Sequence, residues 1–60
     1  MACVKMIQTS KHKWRIETLH GIVLLDDITI DNRFQAEAFV ISYISSYIGW
    51  TYEVLIKEET

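Results

Sequence analysis

Proline is absent from this chain, cysteine occurs once and glycine twice among 60 residues. The single cysteine, Cys3, excludes an internal disulfide. With two histidines and no cysteine cluster, a structural zinc site lacks its soft ligands. Without proline-rich, repetitive or low-complexity stretches there is no linker, and the chain reads as one domain, 1–60. No apolar run reaches the ~18 residues of a membrane span, and the first residues lack the continuous apolar core of a signal peptide. A cytoplasmic setting is expected, the host cytoplasm if the gene is viral, and one free thiol agrees with a reducing compartment.

What the chain does have is apolar weight. Hydrophobic residues make up 50% and charged residues 23%, which argues for folding over disorder. Folding hides roughly 6,000 Å² for a chain of this mass. That burial returns on the order of 85 to 90 kcal/mol, against about 90 kcal/mol for ordering the residues. A lone monomer is therefore near break-even, and self-association or a partner is the expected remedy.

Net charge is -2 and unevenly spread. Lys5, Lys11, Lys13 and Arg15 face only Glu17 in the first third, while acids dominate the remainder. Such polarity steers a partner or pairs one subunit with the next.

Period-two alternation marks strands at about 2–8, 13–19 and 22–30. His20 and Gly21 read as a two-residue turn, which sets Leu19 opposite Ile22, Glu17 opposite Leu24 and Arg15 opposite Asp26. That register puts Trp14, Ile16, Thr18, Val23 and Leu25 on the core face. Ile28 and Ile30 have the opposite parity, so a bulge is expected at Asp26 and Asp27. Asp31 or Asn32 then caps a helix over about 33–48, with Gln35 completing a capping box and Gly49 as the left-handed stop. A last strand follows at about 50–57, then a solvated tail of Glu58, Glu59 and Thr60. The order β-β-β-α-β implies a small two-layer α+β sandwich: a mostly antiparallel sheet with one helix on one face.

The helix is apolar around well over half its circumference, more than one sheet face can cover. Ala36, Phe39, Tyr43 and Tyr47 are the expected surplus and form a candidate dimer or partner interface. Leu19, Ile22 and Leu24 on the uncovered sheet face are the second candidate surface. The run Lys11, Lys13, Trp14 and Arg15 mixes cations with an aromatic ring and offers an alternative, nucleic-acid contact. A pI of about 5.5 argues against it. Asp26, Asp27 and Asp31 cluster in sequence, but their spacing matches no calcium loop. No nucleophile, base and orienting acid recur at a catalytic spacing, so no enzyme, cofactor or metal is expected. The expected function is a non-catalytic, protein-binding homodimer that acts on a larger protein. By analogy of size and character alone, such chains include virus- or mobile-element-encoded inhibitors of host defence proteins.

Overall fold

The computed structural model describes residues 2–57, so the expected tail at Glu58, Glu59 and Thr60 lies outside the described residues. Five elements follow in order: β1 (Cys3–Ser10), β2 (Lys13–Thr18), β3 (Val23–Thr29), α1 (Arg33–Ile44) and β4 (Thr51–Leu55). The strands form one sheet in the order β3-β2-β1-β4. β2 is antiparallel to both its neighbours, and β4 returns parallel to β1. The helix makes that parallel return possible by carrying the chain across the sheet. The result is the expected α+β fold with one helix and a mostly antiparallel sheet.

Val4 and Met6 of β1 and Trp14 and Ile16 of β2 point inward and are buried, as their alternation requires. From the helix, Ala36, Val40 and Ile44 meet them at intervals of four residues, and Ile30 seals the loop before it. Leu24, Ile28, Tyr43, Trp50, Tyr52 and Val54 pack around this centre. Trp14 has its indole Nε1 buried without a hydrogen-bond partner among the described residues. That orphaned donor is a cost set against the ring's large packed area. The Tyr52 hydroxyl donates to Glu37 Oε1 at 2.9 Å and ties β4 to the helix.

The hairpin departs from the expected register by one residue. Thr18 N donates to Ile22 O at 2.9 Å and Gly21 N to Thr18 O at 3.1 Å, so Leu19, His20 and Gly21 form a three-residue loop. Gly21 sits at φ 83, the left-handed position such loops need. Glu17 therefore opposes Val23, not Leu24. Two further shifts bring Ile16 opposite Leu25 and Trp14 opposite Ile28. The second is the bulge expected at Asp26 and Asp27, with Asp27 at φ 55. Leu24 and Ile28 consequently pack on the core, whereas Val23 and Leu25 stay exposed, the reverse of the expected assignment for those two. The expected Arg15 to Asp26 pair gives way to Arg15 with Glu17 and Lys13 with Asp27.

Asn32 caps the helix as expected: its Oδ1 accepts from Gln35 N at 2.9 Å, and Gln35 Oε1 accepts from Asp31 N at 3.1 Å. The helix stops at Ile44, short of the expected Ile48. Ser45 Oγ and Ser45 N both donate to Ser42 O, at 2.7 and 3.4 Å, and this local competition for a carbonyl closes the last turn early. Gly49, at φ 83, redirects the chain into Trp50 instead of capping the helix.

Candidate functional site

The alternating chain direction divides the molecule into two ends of opposite character. At one end lie the start of β1, the β2–β3 loop and the segment from Ile44 to Thr51. From 18 to 23, from 44 to 51, and at Ala2 and Cys3, there is no Asp, Glu, Lys or Arg. This uncharged end holds an open pocket of about 270 Å³ lined by Ala2, Cys3, Val4, Thr18, Leu19, His20, Ile22 and Trp50.

Its rim is apolar and fixed in place. Leu19 is 55% and Ile22 63% exposed, although both belong to a tightly bonded loop. Thr18 Oγ1 accepts from His20 N at 3.3 Å and from Ile22 N at 3.1 Å, and so holds both residues at set positions. Trp50 forms another wall, and Tyr47 stacks on it with centroids 4.4 Å apart and planes inclined by 23°. Tyr43 extends this aromatic row, its ring 6.3 Å from that of Tyr47. Ile48 beside them is fully exposed. Thr51 N donates to Ala2 O at 2.9 Å and joins this segment to the sheet.

The structure thus brings together Leu19, Ile22 and Tyr47 from the two candidate surfaces read in the sequence. It removes two others. Ala36 has no exposed surface because it faces the sheet, and Leu24 is half-buried against the core. Tyr43 is partly spent on core packing, and Phe39 lies on the outer helix surface. In the sequence Trp50 marks only the start of a strand. Its role at the pocket depends on the parallel pairing of β4 with β1, which no local pattern encodes.

The opposite end carries Lys11, His12, Lys13, Asp27, Asp31, Arg33 and Lys57. Its polar groups are largely engaged with the fold. Lys13 Nζ donates to Thr29 Oγ1 at 2.8 Å and lies 3.2 Å from Asp27 Oδ1. Lys57 Nζ donates to Thr9 O at 3.1 Å. Arg15 sits 2.6 Å from Glu17 Oε2, an ion pair without hydrogen-bond alignment. Trp14 is only 2% exposed, so the aromatic ring of the candidate nucleic-acid contact is part of the core and offers no base a stacking surface. Among the described residues no hydrogen bond or ion pair ties the Lys11 ammonium, but one untied cation of the run does not make a phosphate-binding groove.

Among the described residues, no three His, Cys, Asp or Glu side chains converge as metal ligands. Cys3 and His20 both line the pocket, and no hydrogen bond joins them. The pocket is equipped for apolar contact. No helix is long and apolar enough to cross a membrane. No family model matches the chain, and neither a curated protein nor a solved structure is similar to it.

Proposed function

We propose that the protein is a non-catalytic binding module that works as a homodimer and inhibits a larger protein, of the kind that viruses or mobile elements direct at host defence. One observation supports this reading above the others: Leu19 and Ile22, exposed at a loop that the Thr18 hydroxyl ties at His20 and Ile22, stand beside Trp50 and Tyr47 on an end without charged side chains. An apolar rim on a rigid loop loses little conformational freedom on docking, and aromatic residues supply area at low entropic cost. Exposed apolar clusters of this kind mark interaction surfaces on small soluble proteins.

The test is affinity capture from lysate of the source cell, with the native chain and with the double variant Leu19→Glu, Ile22→Glu as parallel baits. A protein held by the native chain, lost by the variant and bound again when purified supports the reading. Equal retention of the same proteins by both baits, with circular dichroism showing both folded, overturns it.

A further inference from the structure

The outer side of α1 carries a second uncharged surface, and its pattern is specific. Phe34, Ala38, Ile41 and Ser45 are spaced by four, three and four residues, so they stand in one straight row along the helix. All four are exposed, Phe34 to 82% and Ile41 to 45%. The row alternates large, small, large, small. Read from the other end it keeps the same spacing and becomes small, large, small, large.

We propose that a second copy of this chain occupies the row, the two helices lying antiparallel across a two-fold axis. In that arrangement Phe34 of each copy lies over the small Ser45 of the other, and each Ile41 lies against the other's Ala38. Every bulky side chain then meets a small one, which is the condition for ridges to enter grooves. A parallel pairing sets Phe34 on Phe34 and Ile41 on Ile41, and leaves the small residues facing each other across a gap. The chemistry also suits a self-contact. A two-fold interface presents the same patch from both sides, so charges near the axis meet their own sign. The row has none, and the helix's two charged residues, Arg33 and Glu37, lie off its line.

Phe34 supplies most of the area: an aromatic side chain offers about 150 to 250 Å², and the residue is 82% exposed. With Ile41, Ala38 and Ser45 added the contact stays below the ~1,000 Å² of a stable interface, so the pairing is a weak one that forms at high protein concentration. The antiparallel pairing sends the two pocket-bearing ends in opposite directions, so the dimer presents two separate docking sites. This inference rests on the homodimer reading above and assigns its interface.

Sedimentation velocity of the full chain at high micromolar concentration is expected to give about twice the 7.0 kDa chain mass. Ile41→Glu and Ala38→Glu are expected to give monomers with an unchanged circular dichroism spectrum, while Ile22→Glu at the pocket remains dimeric. A dimer that survives both helix substitutions overturns this interface and leaves the homodimer standing. A monomeric native chain overturns both, without touching partner capture by the pocket end.

Orientation is read by cross-linking in a Cys3→Ser background. An oxidised mixture of the Phe34→Cys and Ser45→Cys proteins is expected to form a mixed disulfide, with neither protein cross-linking to itself. The two 34 positions are about 16 Å apart along antiparallel helices. Self-linkage of Phe34→Cys, or no mixed species from a dimeric sample, overturns the antiparallel arrangement.

Discussion

The charged end and the uncharged end of the sheet use their side chains in opposite ways. At the charged end, polar groups serve the fold: Asn32 caps the helix, Lys13 bridges to Thr29 and Asp27, and Gln8 accepts from Lys57 N at 3.1 Å. At the uncharged end, Leu19, Ile22 and Ile48 contribute exposed apolar surface that the fold does not consume. The groups that stabilise the fold and the apolar surface left exposed are therefore separate in this molecule. Residues that look like a ligand site, the cationic run around Trp14, are structural, and those that look like a simple turn are the better docking candidates.

Substitutions graded by stability test this division. Trp14→Ala at the charged end has the largest expected effect. Removing the buried ring costs about 3 to 5 kcal/mol, enough to leave a chain this small substantially unfolded. A urea midpoint equal to that of the native chain would falsify its burial. Asp27→Val comes next, because a β-branched residue at the left-handed bulge position costs about 1 to 2 kcal/mol. Asp27→Gly in the same assay is expected to avoid that loss.

Between the two ends, Tyr52→Phe deletes the bond to Glu37 and has a smaller effect with a pH signature. The Tyr52 pKa is raised above the usual tyrosine value, first by its hydrogen bond to Glu37, then by desolvation and by the Glu37 charge. The folded state thus favours the neutral phenol. Its contribution is fully present below the ordinary tyrosine pKa of about 10 and is lost as pH rises through the raised folded value. The difference in thermal midpoint between native and Tyr52→Phe proteins is expected to hold steady from neutral to mildly alkaline pH and then shrink. A difference that widens there rules the bond out as its source.

The smallest expected effect is at the pocket. Ile22→Ser changes stability by no more than about 0.5 kcal/mol, as for other exposed positions. A loss comparable to that of Trp14→Ala means that the rim belongs to the core and that the two ends do not differ as described.

The helix start is legible in the sequence. Asn32 and Gln35 announce the helix start because a cap is made within four residues. The bulge expected at Asp26 and Asp27 is present, but the parity clash that suggests it rests on Leu25 facing the core, whereas Leu25 is exposed and Leu24, Ile28 and Ile30 share the inward parity. The hairpin differs from the expected register by one residue because His20 and Gly21 resemble a two-residue turn, while Thr18 closes a three-residue loop through its own hydroxyl. That single step moved Leu24 from the open face to the core side.

The helix was the harder case. Apolar on nearly all sides, it carries no stripe that says which side faces inward. Its early stop at Ile44 follows from serine competition that propensity alone does not resolve.

The chain's own order of residues determined the β-β-β-α-β succession, the inward parity of Trp14 and Ile16, and the surplus of apolar surface over what one small core can hide. These follow from periodicity and capping, which act over a few residues. Only the tertiary structure decided that Ala36, Val40 and Ile44 face the sheet, that β4 lies beside β1, and that Leu19, Ile22 and Trp50 border one pocket. Those outcomes depend on contacts between distant segments, where the competing arrangements differ in packing and not in pattern.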